Sequence, residues 1–249
     1  MNTRRAQRTA LVTGISRAAG IGYGIARRLI DDGFLVVGTG FRAYDESMPW
    51  GSDAELPPLV RDGTIDYLEA DFSTDTARTR VMDRIVGEYG SVTSLILNHA
   101  CSHEEGVLEL TPETLDRSWK VNVESSLLLV RDCARLGDLE SVVLVTSGQS
   151  VAPMPDEIPY ALTKGALQSI VSSLSAALAD TGTTVNCVNP GPVDTGWSSG
   201  DLYEAIRSRF PAGRWGHPTD VANLVAWLVG PDGRWVTGQT ISSEGGFRR

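Results

Sequence analysis

The sequence of 249 residues has few cysteines, few histidines, only two lysines beside twenty arginines, and no long apolar run. Its three cysteines, Cys101, Cys133 and Cys187, are far apart and lack metal-ligand spacing, so we expect reduced thiols and no metal site. No stretch approaches the roughly 18 apolar residues of a membrane span, and the apolar run after the basic start is too short for a signal peptide. These absences predict a soluble cytoplasmic protein.

The charge balance also excludes a class of partner. The net charge of −9 argues against nucleic acid, which is bound by neutralising phosphates with Lys and Arg. A local basic pocket for a phosphorylated cofactor is compatible with this negative net charge. The apolar fraction of 41% and the length fit one globular domain, and no repeat or linker divides residues 1–249.

Short β-type segments alternate with segments of helical length. The predicted strands are 8–14, 34–40, 64–70, 94–100, 141–147, 183–189 and 237–246. The predicted helices are 22–32, 75–89, 112–136, 159–180 and 218–229. Several strands are continuous apolar runs, as in parallel strands buried on both faces. The pattern predicts a single-domain, doubly wound α/β Rossmann fold, with a seven-stranded, mostly parallel sheet and helices on both faces.

Two segments interrupt this alternation. Residues 41–62 form a Pro- and acid-bearing excursion after the second strand. Residues 192–217 contain a short amphipathic piece, and we predict that they form a lid over the site.

The stretch "TGISRAAGIGYGIA", residues 13–26, follows the first strand but lacks the dinucleotide fingerprint G-x-G-x-x-G. It is either a phosphate loop whose helix amides face a pyrophosphate, or a bend between a strand and a helix. In the first case Gly14 makes the tight turn, and Gly20 and Gly22 permit close backbone approach.

In "YALTK", Tyr160 and Lys164 are four residues apart and share one face of a helix. An ammonium about 4 Å away at an effective dielectric of about 20 favours the phenolate by about 4 kcal/mol, which brings the tyrosine pKa towards neutrality. Ser147 ends the strand before this helix, where its hydroxyl faces the ligand crevice or caps a turn. Asn122, within a helical pattern, either joins this site or bonds locally.

These residues resemble the short-chain dehydrogenase/reductase family over nearly the whole chain. The similar motifs are Ser147-x12-Tyr160-x3-Lys164, "NHA" at 98–100, "NPGPVDT" at 189–195, and the tail segments "GRWGHPTD" and "TGQTISSEGG". The phosphate loop is two residues longer than the usual T-G-x-x-x-G-x-G, as in enoyl-reductase-like members.

The resemblance implies catalytic roles for four residues. Tyr160 would donate a proton to a substrate carbonyl or accept one from an alcohol. Lys164 would lower the pKa of the tyrosine and bind the nicotinamide ribose. Ser147 would hold the substrate oxygen. Asn122 would hold a water molecule in a proton relay.

The resemblance also implies a cofactor set. Thr195 would bind the nicotinamide carboxamide, Asp71 would meet the adenine amine, and Asn98 would line the cofactor path. The full set is Gly14, Ser16, Arg17, Gly20, Ile21, Gly22, Arg42, Asp71, Phe72, Asn98, Ala100, Tyr160, Lys164, Pro190, Gly191, Val193 and Thr195.

The end of the second strand bears on the choice of cofactor. An NAD site favours an acidic residue there, whereas this strand runs into Phe41 and Arg42. Arg42 is either a solvated loop charge or, with Arg17, a clamp for a 2′-phosphate. We predict NADP(H) rather than NAD(H).

The overall pattern is most similar to 3-oxoacyl-(acyl-carrier-protein) reductases. This similarity implies an NADPH-dependent reduction of a ketone, with a 3-oxoacyl thioester or related carbonyl as substrate. Alternatives are a dehydrogenase of a small alcohol, sugar or polyketide, and a non-catalytic dinucleotide sensor or scaffold. The family also implies a homotetramer or homodimer with helices 112–136 and 159–180 at an interface, and no membrane or nucleic-acid partner.

Overall fold

The central sheet of the computed structural model, which describes residues 8–249, has seven strands. They are β1 Thr9–Thr13, β2 Leu35–Gly40, β3 Ile65–Glu69, β4 Ser94–Leu97, β5 Ser141–Val145, β6 Thr184–Asn189 and β7 Thr240–Ser242. Their order is β3-β2-β1-β4-β5-β6-β7, and every pairing is parallel within the described chain. The predicted seven-stranded α/β fold is confirmed.

Helices cover both faces of this sheet. They are α1 Ile21–Asp31, α2 Arg42–Ser47, α3 Pro58–Arg61, α4 Asp75–Arg84, α5 Pro112–Trp119, α6 Ser125–Arg135, α7 Ile158–Ala177, α8 Gly200–Arg207 and α9 Pro218–Val229. Side chains alternate along each strand, so Leu11 packs in one core layer with α4, α6 and α7. Its neighbours Ala10 and Val12 pack on the opposite face with α1 and α9. Within residues 8–249 no helix combines the length and apolarity needed to span a bilayer.

Two predicted helices are less regular than the sequence pattern indicates. A π-helical turn, Ile85–Tyr89, continues α4, and a second one, Lys120–Glu124, joins α5 to α6. A π turn contains one more residue than an α-helical turn. The spacing of hydrophobic residues along the sequence does not reveal this insertion. The predicted start of α5 is confirmed, because the Thr111 hydroxyl accepts a hydrogen bond from the Thr114 amide at 3.2 Å.

The two interruptions both contain helices. The excursion at 41–62 folds into α2 and α3. The predicted lid segment carries α8 and is closed at its base by a parallel bridge between Val193 and Gly216. Trp215 is 1% exposed and stacks on Tyr203 with ring centroids 4.8 Å apart, so this segment has an aromatic core of its own.

Candidate active site

A cleft opens at the carboxyl ends of the central strands. The chain order reverses between β1 and β4, and in such sheets this switch point opens a ligand crevice. The cleft holds a cavity of about 690 Å³. Its wall runs from the loop after β1 past the ends of β4 and β5 to the segment after β6.

The glycine-rich loop forms one end of the cleft by close backbone packing. Gly14 has φ of +75°, a conformation that side-chain-bearing residues rarely adopt. A Cβ on Gly22 would overlap the Gly14 carbonyl and lie 2.6 Å from the Asn98 amide nitrogen. That nitrogen donates to the carbonyls of Thr13 and Gly14 at 3.1 Å each. The loop is therefore held tightly against β4, with the start of α1 facing the cleft.

Two side chains of this loop enter the cleft. Ser16 is 8% exposed, and its hydroxyl donates to the Asp45 carboxylate at 2.5 Å. Arg17 donates through Nη2 to the Thr195 carbonyl at 2.8 Å, which links the loop to the segment after β6. Its Nε is buried and has no hydrogen-bond partner within the described residues.

Ser147, Tyr160 and Lys164 meet at the other end of the cleft. Ser147 follows β5, and the other two lie in the first turns of α7. The Lys164 ammonium lies 5.6 Å from the centroid of the Tyr160 ring and donates to the Val145 carbonyl at 2.7 Å. The predicted proximity of the phenol and the ammonium is observed.

The electrostatic effect within this group differs from the prediction. Burial raises the pKa of Tyr160, and the nearby Glu157 carboxylate raises it further, while the Ser147 hydroxyl lowers it. Burial likewise lowers the pKa of Lys164 to about 8. Lys164 is 2% exposed and Tyr160 is partly buried, and desolvation favours the neutral form of each group. The predicted lowering of the tyrosine pKa by Lys164 is therefore not observed.

Asn122 lies beside the cleft instead of in its wall. It is fully buried in the π turn, where its side-chain oxygen accepts from the Cys101 amide at 2.8 Å. Its nitrogen donates to the Cys101 carbonyl and to the Thr163 hydroxyl, both at 2.9 Å. These bonds connect the π turn to α7 and to the loop after β4, so the side chain supports the cleft wall.

His99 also ties the loop after β4 to the π turn. Its ring nitrogens contact the Thr13 hydroxyl at 2.7 Å and the Val121 carbonyl at 2.9 Å. Burial lowers its pKa to about 3, so the ring is neutral at physiological pH. The ring shapes the wall of the cleft.

Most of the predicted cofactor residues lie in the cleft wall, and two do not. Those in the wall are Gly14, Ser16, Arg17, Gly20, Ile21, Asp71, Phe72, Asn98, Ala100, Tyr160, Lys164, Pro190, Gly191, Val193 and Thr195. Gly22 packs behind the loop. Arg42 is not among the residues that line the cavity: α2 begins at this residue, and its Nη2 donates to the Asp53 carbonyl at 3.0 Å, while its Nε is buried and has no hydrogen-bond partner among residues 8–249.

Sequence reasoning missed two groups of cleft residues. The excursion after β2 contributes Tyr44, Asp45 and Trp50 to the cleft wall. The chain after α8 and the C-terminal segment contribute Arg209 and Phe247. The spacing of hydrophobic residues does not predict these cleft residues, because they lie in short irregular segments. The clustering of "YD" and "PW" within residues 44–50 is the only local signal.

The donors of the cleft fit a dinucleotide. Arg17, whose Nε is orphaned, lines the wall, and the glycines let the loop pack closely on itself and on Asn98, with the start of α1 facing the cleft, where helix amides can meet a pyrophosphate. In residues 8–249 no group of three or more His, Cys, Asp or Glu side chains could hold a metal ion.

Comparisons with known proteins agree with this geometry. The family model described as enoyl-(acyl carrier protein) reductase matches residues 14–248. The oxidoreductase YjdA of Bacillus subtilis is 35% identical over 248 residues, which cover 98% of each chain. An (S)-acetoin-forming diacetyl reductase of Staphylococcus epidermidis is 27% identical, with 96% of this chain and 98% of that protein covered.

A solved structure adds a ligand-bound example. A short chain dehydrogenase from Burkholderia cenocepacia, in complex with NADP, superimposes with a TM-score of 0.83 and 31% identity, over 98% of this chain and 99% of that one. The match of the family model, the sequence identity and the shared fold agree. The chain belongs to the short-chain dehydrogenase/reductase family and is an oxidoreductase.

Proposed function

We propose that this protein reduces a ketone carbonyl with NADPH, with Tyr160 as the proton donor. The observation that carries the proposal is the meeting of Ser147, Tyr160 and Lys164 at one end of a cleft whose other end is the glycine-rich loop. A cofactor bound along this cleft supplies a hydride to the carbonyl carbon.

The protonation state of Tyr160 fits the role of proton donor. A phenol with a raised pKa stays protonated at neutral pH and can donate its proton to the substrate oxygen. The Ser147 hydroxyl lies beside it and would hold that oxygen in place. Lys164, the ammonium of the group, would bind the nicotinamide ribose.

The choice of NADP(H) rests on Arg17, with Arg42 as a second guanidinium after the end of β2. Arg17 lies in the phosphate loop with a buried, unpartnered Nε in the cleft wall, and a guanidinium suits a phosphate group. The Burkholderia cenocepacia neighbour is in complex with NADP, which supports the same choice.

The substrate end of the cleft is lined by both apolar and charged side chains. Met154, Trp197 and Phe247 supply apolar surface, and Arg209 and Glu157 supply charge. The diacetyl reductase among the relatives is named for a ketone substrate, which supports a small ketone beside the 3-oxoacyl thioester. We propose a ketone of either type, with residues 192–217 acting as the lid.

The proposal is tested by a Tyr160→Phe variant in a ketone panel with NADPH and, separately, NADH. We expect turnover to fall about 10²- to 10⁴-fold, because the proton donor is lost, while NADPH affinity changes little. The control is Tyr89→Phe, which removes a phenol that donates to Asp66 outside the cleft and should leave turnover unchanged. Undiminished turnover of Tyr160→Phe would overturn the mechanism.

A non-catalytic dinucleotide sensor would behave differently. It would bind NADPH, reduce no ketone of the panel, and give identical results for the wild-type protein and Tyr160→Phe. The preserved group of Ser147, Tyr160 and Lys164 favours the enzyme, since binding alone requires no proton donor.

A further inference from the structure

The excursion after β2 contacts the glycine-rich loop through two carboxylates. Asp45 accepts a hydrogen bond from the Ser16 hydroxyl at 2.5 Å. Asp53 accepts one from the Ala18 amide at 2.6 Å. In a phosphate loop such donors are the groups that bind an anionic ligand. The chain's own carboxylates therefore engage donors suited to a phosphate oxygen.

The same segment crosses the path of a ligand that lies along the cleft. Tyr44 accepts a hydrogen bond from the Ser102 amide at 2.8 Å, so α2 reaches from the end of β2 to the loop after β4, past β1 between them. Nearby, the Arg17 guanidinium lies 5.8 Å from the centroid of a Trp50 ring. With the two carboxylate bonds, four contacts thus fasten residues 42–53 across the cleft beside the phosphate loop.

The Asp45 carboxylate has few hydrogen-bond partners other than Ser16. Asp45 is 8% exposed, and in the described chain it takes part in no ion pair. Its remaining hydrogen-bond donor is the Trp50 indole, at 3.4 Å from Oδ1. A buried carboxylate with so few hydrogen-bond donors is weakly bound to the loop. A ligand with more negative charge can therefore replace it as the acceptor.

We propose that residues 42–53 form a strap that occupies the donors of the phosphate loop and is displaced when a dinucleotide binds. The inference rests on the proposed function, because it requires that the cleft bind a dinucleotide. It goes further in assigning Asp45 and Asp53 an inhibitory role: they compete with the anionic part of the cofactor for Ser16 and Ala18.

The test compares NADPH affinity and association rate for the wild-type protein, Asp45→Asn and Asp53→Asn. Loss of either negative charge weakens the hold on the loop donors, since the remaining amide oxygen is a poorer acceptor, so we expect NADPH to bind about 5- to 10-fold more tightly and to associate faster. The matched control is Glu46→Gln, which removes the same charge from an exposed position of α2, where the side chain accepts a hydrogen bond from Ser52. The control separates displacement of the strap from a general decrease in negative charge.

Hydrogen exchange of the strap provides a readout that does not need turnover. In the ligand-free protein, Asp45→Asn should accelerate amide exchange within residues 42–53, and NADPH should do the same in the wild-type protein. Two results would overturn the strap proposal alone. One is slower exchange within residues 42–53 when NADPH is added, and the other is an NADPH affinity of the Asp45→Asn and Asp53→Asn variants no higher than that of Glu46→Gln. Absence of NADPH and NADH binding in every variant would overturn the proposed function as well.

Discussion

Burial controls the chemistry of individual residues in this cleft. The spacing of Tyr160 and Lys164 places an ammonium beside a phenol, and Coulomb's law alone predicts a lowered tyrosine pKa. In the structure Lys164 is buried and Tyr160 is partly buried, and this burial raises the pKa of Tyr160 and lowers that of Lys164 to about 8. Desolvation therefore outweighs the attraction between the pair.

The buried ammonium of Lys164 should destabilise the ligand-free fold in a pH-dependent way. Its pKa is about 8 in the fold against about 10.5 in the unfolded chain, so the unfolded state binds the proton more tightly. The penalty, roughly 3 kcal/mol, is complete below pH 8 and is relieved as the pH rises towards 10.5. We expect Lys164→Met to be more stable than the wild-type protein at pH 7, by less than this penalty since the bond to Val145 is lost.

Urea unfolding of the two proteins from pH 7 to pH 10 measures this effect. The stability difference should shrink as the pH increases, because only the wild-type protein loses a buried charge. A difference that stays constant across this range would show that the pKa of Lys164 is not lowered.

The close packing of the phosphate loop predicts a severe effect of a single methyl group. In Gly22→Ala the new Cβ would overlap the Gly14 carbonyl, so we expect a loss of several kcal/mol in unfolding free energy, about 2 to 4, and loss of NADPH binding. The control is Gly87→Ala, at a helical glycine with open space around the Cβ, which should be neutral or stabilising by about 0.5 to 1 kcal/mol. Equal melting temperatures for the two variants would contradict the packing argument.

Among the elements, the irregular ones shape the site. The π turn at Lys120–Glu124 brings Asn122 under the loop after β4, and α2 carries Tyr44 and Asp45 to the cleft. The segment at 192–217 is held by Trp215, whose indole donates to the Tyr203 carbonyl at 3.1 Å. The regular strands and helices position these elements.

The aromatic core of the segment at 192–217 should fold and loosen as one unit. We expect Trp215→Ala to reduce the unfolding free energy by about 3 to 5 kcal/mol, because it leaves a large cavity under α8. Amide exchange should accelerate mainly within residues 192–217. The matched control is Trp235→Ala, at a side chain that is 98% exposed, which should change stability by less than about 0.5 kcal/mol. Exchange that accelerates uniformly over the sheet would argue against a separate unit.

At the scale of the whole molecule, two exposed apolar side chains lie on the helices predicted to form an interface. Trp119 at the end of α5 is 45% exposed, and Leu162 in α7 is 52% exposed. Exposed apolar side chains are found on faces that another chain covers. We propose that a second copy covers this face in a homodimer or homotetramer.

Light scattering after gel filtration tests the assembly. The wild-type protein should have a multiple of the mass of 26.7 kDa, and Trp119→Glu or Leu162→Glu should lower it, because a buried unpaired carboxylate disfavours the interface. Val86→Glu, at an exposed apolar residue of the π turn after α4, is the control and should not change the mass. A monomeric wild-type protein would contradict the proposed assembly.

The fold class and the location of the cleft follow from local sequence patterns. Continuous apolar strands alternating with helices specify a parallel sheet, because strand and helix periods are local properties. The proximity of Ser147, Tyr160 and Lys164 could also be predicted from their spacing. A strand end positions the first side chain, and one helix turn positions the other two.

The tertiary structure sets the positions of side chains in irregular segments and the charge state of buried groups. Arg42 bonds to the Asp53 carbonyl while Tyr44 and Asp45 line the cleft, a result that depends on how α2 packs across strands distant in sequence. The pKa of Lys164 depends on every group that excludes water from it. Desolvation sums over the whole surrounding fold, so no local pattern of residues contains it.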